Sequence, residues 1–334
     1  MKKRNKPLLI VTFLSVLCLV GGCNDNNGNS EQRYDWPLAT SSTEDTITHI
    51  FATAFAEEVY RLSNGKMKIR VYPQSSIGTD REVLESLKDG DIPFTAQSPA
   101  TQVVFMPEVS IFDLPCVFDN IEDARTTIDR ENFLDELKPI YLKSGYRLLG
   151  IADQGFRVMT SNRKFDGIES LRGLKIRTME NPIHLQFWRA IGANPTPMTF
   201  SEVYIGLQQG TIDAQENSYS IIASAKIYEQ QKYAVEIQAL PDFITLIVSE
   251  SFYQQLPVEQ QRIIDEASFL AQRKARDSAD ITINEKKQEL LNTGMQIIEL
   301  DEEIRSSLRE DSISVHDIVR AQTGKALFES YVQN

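Results

Sequence analysis

Residues 171–217 read LRGLKIRTMENPIHLQFWRAIGANPTPMTFSEVYIGLQQGTIDAQEN, and this stretch places an arginine in a short predicted strand. Apolar and basic residues alternate in GLKIR with the two-residue period of a strand, so Leu174 and Ile176 face a core and Arg177 points away from it. A guanidinium in such a position binds a carboxylate through two parallel hydrogen bonds. The stretch therefore predicts an anion-binding site built around Arg177.

The remainder of the stretch predicts a turn, a helix and a polar cluster. Residues 191–195 (IGANP) form the turn, and Thr199 and Glu202 have the spacing of a capping box at the start of a helix. Gly210 stands where a helix ends. The polar residues 213–217 (DAQEN) then close the unit with side chains suited to hydrogen bonding.

These motifs, in this order, resemble the extracytoplasmic solute-binding proteins of the tripartite ATP-independent periplasmic (TRAP) transporters. The family pattern includes GLKIR, a GA-P turn, FSEVY-ALQ-G and DGQEN. Further matches follow the family order at 72–82 (YPQSSIGTDRE), 87–90 (LKDG), 111–115 (IFDLP), 155–157 (GFR), 228–233 (YEQQKY) and 256–257 (LP). The resemblance covers most of the chain from about residue 34 to residue 257. It implies a protein that captures an organic acid and delivers it to the membrane subunits of a TRAP permease, which an ion gradient drives.

The resemblance also implies an α/β fold with two lobes, a clamshell like that of periplasmic binding proteins. A length of 334 residues agrees with two lobes, because it exceeds the usual size of one domain. Helix and strand patterns alternate at 46–63, 66–72, 80–88 and 94–97, and further strands are predicted at 156–161, 175–178 and 211–215. We assign residues 34–153 to lobe 1, with 244–282 returning to it, and residues 154–243 to lobe 2, with 283–334 returning to it.

A helical pattern continues over residues 258–292, well beyond the typical helix length. In the family such a helix braces both lobes, and the resemblance implies the same here. The alternative is a coiled-coil dimerisation arm, but the apolar seam is not kept after Ala275. We therefore expect a monomer.

The first 33 residues predict export and attachment to a membrane. Residues 1–22 have the basic start, apolar core and small final residues of a lipoprotein signal peptide, and Cys23 follows as the lipidation site. The alternative is an uncleaved membrane anchor, although the apolar run is shorter than a spanning helix needs. Residues 23–33 predict a flexible tether, which holds the body beside the membrane on its extracytoplasmic or periplasmic side. Cys116 is then the only thiol of the mature body and is interpreted as a buried small hydrophobe.

Charge limits the possible partners. The formal net charge is −12, and it becomes −16 without the signal, which carries four basic residues and no acidic one. This excess argues against nucleic acid and anionic lipid surfaces as partners. It does not exclude an anionic ligand, because net charge is screened over roughly 8 Å at physiological salt while arginines in a cleft set the local potential.

Ten residues are candidates for contact with the ligand. Arg177 would bind a carboxylate, and Arg157 and Asn217 would contact neighbouring oxygens. The full set is Arg177, Arg157, Asn217, Phe200, Asp80, Gln97, Ser98, Ser42, Thr43 and Gln215. Each candidate also has a structural interpretation. The polar residues could be solvated charges, salt-bridge partners or helix caps, and Phe200 could pack in the core.

Two positions depart from the family pattern and affect the choice of ligand. Gln97 stands where some members that bind sugar acids carry glutamate, and Ala214 replaces the usual glycine of DGQEN. The polar candidates Gln97, Asp80 and Gln215 favour a hydroxylated sugar acid, such as a hexuronate or sialate, over a C4-dicarboxylate. The sequence does not distinguish further among acids.

An enzyme is the main alternative from another functional class. Ser161 and Lys164 have the S-x-x-K spacing of penicillin-binding enzymes, but the SDN and KTG motifs are absent and Ser161 ends a predicted strand. The three histidines are too scattered for a metal-binding pair, so no metal, cofactor or catalytic residue is predicted. A ligand-sensing lipoprotein that feeds a signalling receptor is the remaining alternative.

Overall fold

The structure is a computed structural model that describes residues 33–333. The predicted signal peptide, Cys23 and residues 24–32 of the tether lie outside this range. Within it, no helix has the length and apolar character needed to span a membrane.

Eleven strands and eleven helices are present in the described range. The strands are β1 (Tyr34–Ala39), β2 (Met67–Tyr72), β3 (Phe94–Gln97), β4 (Tyr146–Phe156), β5 (Val158–Ser161), β6 (Lys175–Thr178), β7 (Asn194–Pro197), β8 (Ala214–Asn217), β9 (Tyr233–Glu236), β10 (Pro241–Ser249) and β11 (Gln296–Glu299). The helices are α1 (Ile47–Leu62), α2 (Asp80–Asp89), α3 (Ile121–Ile128), α4 (Glu131–Lys143), α5 (Pro182–Ala190), α6 (Val203–Gln208), α7 (Tyr219–Ser224), α8 (Glu250–Gln255), α9 (Val258–Asn292), α10 (Glu302–Thr323) and α11 (Lys325–Val332).

The strands form two separate sheets. The first sheet has the order β2-β1-β3-β10-β4, and the second has the order β11-β9-β5-β8-β6-β7. Each sheet contains parallel pairs, such as β1 with β2 and β6 with β8, and one strand that runs antiparallel to both neighbours, β10 in the first and β5 in the second. This mixed architecture confirms the predicted α/β class.

Two short connections join the sheets and lie side by side. Arg157 links β4 to β5, and residues 237–240 link β9 to β10. The backbone N–H of Arg157 donates a hydrogen bond of 2.9 Å to the carbonyl oxygen of Leu240. The chain therefore crosses between the sheets twice at one place.

Helix α9 has the predicted bounds and spans both sheets. It packs against α1 and β4 beside the first sheet and against α7 beside the second. Its buried face carries small residues, including Ala267, Ala271, Ala275 and Ala279, all 0% exposed. Small side chains allow close approach. Ala279, which follows the end of the apolar seam, is still buried against the protein's own body, in agreement with the predicted brace.

Several local predictions differ from the structure. The strand predicted at 156–161 is interrupted at Arg157, and the turn predicted at 191–195 overlaps β7, which begins at Asn194. Strand β8 begins at Ala214 rather than at residue 211, because Thr211 still closes the preceding helix through its N–H to the Gly206 carbonyl oxygen (3.0 Å). Thr199 and Glu202 form no capping box; their side chains bond to each other at 2.8 Å, and a 3-10 turn at Phe200–Glu202 precedes α6. A complete capping box occurs instead at Thr79 and Glu82, at the start of α2.

Candidate ligand-binding site

A narrow cavity lies between the two sheets, with an inner and an outer part. The inner cavity is lined by Ser41, Ser42, Thr48, Asp80, Gln97, Ser98, Gln154, Arg157, Arg177, Met179, Phe200, Asn217, Ile221 and Asp242. The outer cavity shares Ser41, Asp80, Arg177, Met179 and Phe200 and adds Ser75, Thr79, Arg81, Thr101, Val104, Glu180, Met198, Thr199 and Ser201. The two parts measure about 40 and 30 Å³. This space holds a few water molecules, so a larger solute requires its walls to separate.

The cavity brings together eight of the ten predicted contact residues. Thr43 and Gln215 are not among its lining residues. The Thr43 hydroxyl is buried without a hydrogen-bond partner among the described residues. Gln215 donates to the Thr160 hydroxyl at 3.0 Å and accepts from the Asn217 amide at 2.8 Å, so it supports Asn217 from behind.

Arg177 is buried in the cavity wall without a carboxylate partner. Its side chain is as inaccessible as the neighbouring core residue Ile176, although it points to the other face of β6. Its Nε and Nη2 donate to the Met198 carbonyl oxygen at 2.9 and 2.7 Å, which fixes the plane of the guanidinium. No described carboxylate lies within 4.0 Å of it. Burial lowers the pKa of Arg177 to about 10, so the group keeps its charge at neutral pH.

Arg157 is buried as well, but its donors are already engaged. It forms salt bridges with Glu216 and with Asp242, the latter at 2.7 Å. It also donates to the Glu216 carbonyl oxygen at 2.8 Å and to the Asn217 side-chain oxygen at 3.0 Å. Arg157 therefore borders the cavity and orients Asn217, while its charge is balanced by two acidic residues.

A chain of buried charges continues behind Arg157. The His184 ring lies 2.9 Å from Asp113 and 3.7 Å from Glu216. Burial alone would lower the pKa of His184, but Asp113 and Glu216 outweigh burial and raise it to about 9. Burial would likewise raise the pKa of Glu216, but Arg157 and His184 lower it to about 2. At neutral pH a cationic His184 ring therefore lies beside an ionised Glu216.

The wall from the first sheet supplies a carboxyl group and an amide. Asp80, the first residue of α2, accepts a hydrogen bond of 3.0 Å from the Ser41 hydroxyl. Burial raises the pKa of Asp80, and Ser41 and Arg177 oppose that shift. Gln97 ends β3 and donates to the Thr101 hydroxyl at 3.1 Å. Ser98 follows and caps a short 3-10 turn with its hydroxyl.

The acidic partners at this site are not among the residues predicted from the sequence. Glu216 lies within the quoted DAQEN cluster, and Asp242 is the second residue of β10. Asp113 and His184 lie 71 residues apart in the chain, so nothing in local spacing points to their contact. Ser161 ends β5, and its hydroxyl accepts the Arg163 N–H at 2.9 Å, which is not the helix-opening position of an S-x-x-K nucleophile.

Comparisons with known proteins agree with a binding site. The chain matches the family described as bacterial extracellular solute-binding protein, family 7, over residues 38–322. A solute-binding protein of Verminephrobacter eiseniae is 34% identical over 229 residues, which are 68% of this chain and 68% of that protein. The ectoine/5-hydroxyectoine-binding periplasmic protein UehA of Ruegeria pomeroyi is 29% identical over 324 residues, which are 94% of this chain and 93% of that protein. The crystal structure of the sugar acid binding protein of Advenella mimigardefordensis in complex with galactonate superposes with a TM-score of 0.86 and 27% identity, covering 90% of this chain and 97% of that one.

Proposed function

Because the chain belongs to the bacterial extracellular solute-binding proteins of family 7, we propose that it captures an organic acid between its two sheets and delivers the acid to a TRAP-type permease driven by an ion gradient. The proposal rests on the surroundings of Arg177. The residue is 2% exposed, and its guanidinium is held in one plane by the Met198 carbonyl oxygen and has no carboxylate partner among the described residues. A buried cation without a direct carboxylate contact is unfavourable, and the carboxylate of a ligand would supply that contact.

The other polar groups of the inner cavity support a hydroxylated monocarboxylate. Arg157 is neutralised by Glu216 and Asp242, so Arg177 is the cation that remains for one carboxylate. Asp80 faces the same cavity and can accept a hydrogen bond from a hydroxyl group, which the second carboxylate of a C4-dicarboxylate does not offer. We therefore favour a sugar acid, such as a hexuronate, an aldonate or a sialate, over a C4-dicarboxylate. The relative from Advenella mimigardefordensis is a sugar acid binding protein.

Calorimetry with matched ligands tests both parts of this proposal. Galactonate and galactitol carry similar hydroxyl groups and differ at the carboxylate, while succinate has a second carboxylate and no hydroxyl. We expect binding of galactonate, glucuronate or sialate, with galactitol and succinate weaker by at least tenfold, or about 1.4 kcal/mol. Equal affinity for galactitol would remove Arg177 as the carboxylate site. Tighter binding of succinate would replace the sugar acid by a dicarboxylate.

Delivery to a permease has its own test. Membrane vesicles that contain the TRAP permease of the same operon should take up the labelled acid only when the purified protein and an ion gradient are both present. The acid should be recovered chemically unchanged. Uptake that does not depend on the protein would favour the sensing role instead.

We also propose that the protein is a lipoprotein, anchored through Cys23 on the extracytoplasmic side of the membrane. The proposal rests on the small residues before Cys23 and the polar tether after it, in the sequence outside the described range. Cys23→Ser should prevent lipid attachment and release soluble protein whose ligand affinity is unchanged, because residues 24–30 contain no apolar side chain to pack on the body. Membrane fractionation that still finds the serine variant anchored would mean that residues 7–20 are kept as a membrane helix.

A further inference from the structure

A second cavity of about 240 Å³ lies against the connection between β9 and β10 and shares no lining residue with the ligand cavity. We call it the crossover cavity. Helix α10 contributes Glu302, Arg305 and Arg309 to its wall. The connection contributes Gln238, and the segment after Pro115 contributes Cys116 and Asp119.

Two arginines one helical turn apart face this cavity. Arg305 donates to the Leu300 carbonyl oxygen at 3.1 Å and to the Gln238 side-chain oxygen, and no carboxylate in the described range lies within 4.0 Å of it. Arg309 pairs with Asp119 at 3.0 Å and with Glu302 at 2.6 Å, but the side chains of these acids are 80% and 74% exposed. Exposed ion pairs contribute little, so an incoming anion can replace them.

The backbone around the cavity is held in place on both sides. Cys116 and Gln238 have φ values of 58° and 52°, in the left-handed region that residues other than glycine seldom adopt. The N–H of Cys116 donates to the Ala239 carbonyl oxygen at 2.7 Å and ties the two segments together. Strained positions of this kind persist only when surrounding contacts enforce them, so the cavity has a defined shape.

We propose that the crossover cavity binds a small oxyanion, such as phosphate or sulfate, between Arg305 and Arg309. The anion gives Arg305 the negative partner that it lacks and takes the place of Asp119 or Glu302 at Arg309. The planar guanidinium fork matches the oxygens of such an anion. Because Arg305 also holds Gln238, the bound anion links α10 to the connection between the sheets. This site does not depend on the proposed function of the ligand cavity.

Cys116 offers a reporter inside the cavity. Cys116 lines the cavity together with Arg305 and Arg309. Burial raises the pKa of its thiol to about 11, and Ser312, Arg309 and Arg305 oppose that shift. In a background with Cys18→Ser and Cys23→Ser, Cys116 is the only cysteine of the chain. Its reaction with a neutral alkylating reagent should slow when phosphate binds. At ten times its dissociation constant, phosphate should slow the reaction about tenfold relative to chloride at equal ionic strength.

Substitution of each arginine tests whether the protection by phosphate depends on the crossover cavity. Arg309→Gln and Arg305→Gln should each abolish the protection by phosphate, and Arg309→Gln is the milder variant because its partners are exposed. Arg262→Gln is the matched control, since Arg262 is an exposed arginine paired with Glu259 and Glu266 on α9, and it should keep the protection. Equal alkylation rates in phosphate and chloride for the parent protein would overturn the proposal. Protection that survives in Arg309→Gln and Arg305→Gln would overturn it as well.

Discussion

At the scale of single residues, two arginines in one cavity have different surroundings and therefore different roles. Arg157 is balanced by Glu216 and Asp242, and removing it would leave Asp242 without a cation and Glu216 with only His184 as a cationic neighbour. Arg177 contacts only the Met198 carbonyl oxygen among the described hydrogen-bond acceptors. We therefore expect a change at Arg177 to weaken ligand binding with little effect on the fold, and a change at Arg157 to disturb both.

Arg177→Lys should weaken binding of the acid by roughly tenfold to a hundredfold. A compact ammonium cannot reproduce the two-bond fork, and charged hydrogen bonds of about 1.5–3 kcal/mol are lost or weakened. Calorimetry measures the affinity, and thermal unfolding checks that the fold is retained. Arg262→Lys, at an exposed salt bridge on α9, is the control and should bind like the parent protein. An unchanged affinity for Arg177→Lys would exclude Arg177 as the carboxylate ligand.

The buried pair of His184 and Asp113 predicts a dependence of stability on pH. The pKa of His184 is about 9 in the folded protein and 6.5 for an ordinary histidine. A raised folded-state pKa stabilises fully below pH 6.5, and that contribution disappears as the pH rises through 9. The free energy of unfolding should therefore fall between these values in the parent protein and stay flatter in His184→Gln.

Urea denaturation at several pH values measures this difference. Groups that do not interact with His184 titrate alike in both proteins, so their effects cancel when the two profiles are subtracted. Asp113→Asn removes the partner that raises the pKa most, and it should also flatten the profile. Parallel profiles for the parent protein and His184→Gln would mean that folding does not raise the pKa of His184.

Much of the ligand cavity could be predicted from the sequence, whereas its buried counter-charges could not. Arg177 and Asn217 lie in short motifs whose spacing defines a strand, so their orientation follows from local pattern. Asp113 and His184 meet only through the tertiary fold, across 71 residues. The assignment of ligand contacts to individual residues remains a prediction.

At the scale of secondary-structure elements, the contact between β4 and α9 joins the brace to the first sheet. The Gln272 side chain of α9 accepts the N–H of Ile151 at 2.7 Å. Gly150 precedes Ile151 in β4, and a Cβ atom there would lie 2.9 Å from Gln272 Oε1 and 3.2 Å from Phe51 Cζ. This glycine permits close approach of the helix to the strand.

Gly150→Ala should destabilise the fold by about 1–3 kcal/mol, the usual range for an added group in a filled core. The new methyl group displaces Gln272 and breaks its bond to Ile151. In a Gln272→Ala background the same substitution should be less damaging, because the nearest atom is gone and the two changes are coupled. Urea denaturation of the four proteins gives the coupling free energy. Additive effects would show that Gln272 does not limit the approach of α9.

A helix or strand of this protein is easier to predict from the sequence when one of its faces is exposed to solvent. Helix α9 has one buried and one solvated face, and its bounds were predicted correctly at 258–292. Strand β10 was not predicted, because all nine of its residues are buried and no alternation of polar and apolar residues marks it. Most of β4 was not predicted for the same reason, because residues 146–156 are buried apart from three partly exposed positions.

At the scale of the whole molecule, the predicted two-lobed α/β clamshell is confirmed by the galactonate-bound relative, which superposes over 90% of this chain. Arg157 and residues 237–240 are the short connections between the sheets, and α9 lies against both. The short connections lie together, so rotation about them would open the ligand cavity and separate its walls. The lobe boundaries, at 34–153 with 244–282 and 154–243 with 283–334, remain a prediction.

Binding of the cognate acid should compact the protein in solution. The ligand cavity has one wall from each sheet and holds only about 40 Å³ in its inner part, so a sugar acid enters an open form that then closes around it. Small-angle X-ray scattering should show a smaller radius of gyration with the acid than without it. Galactitol, which lacks the carboxylate for Arg177, is the matched control at the same concentration and should leave the dimensions unchanged. Arg177→Lys should compact at higher acid concentrations than the parent protein, since the fraction of closed protein follows the fraction that has bound the acid.

Tight binding with no change in dimensions would place the ligand on one wall only, and the closing motion would then have no part in its capture.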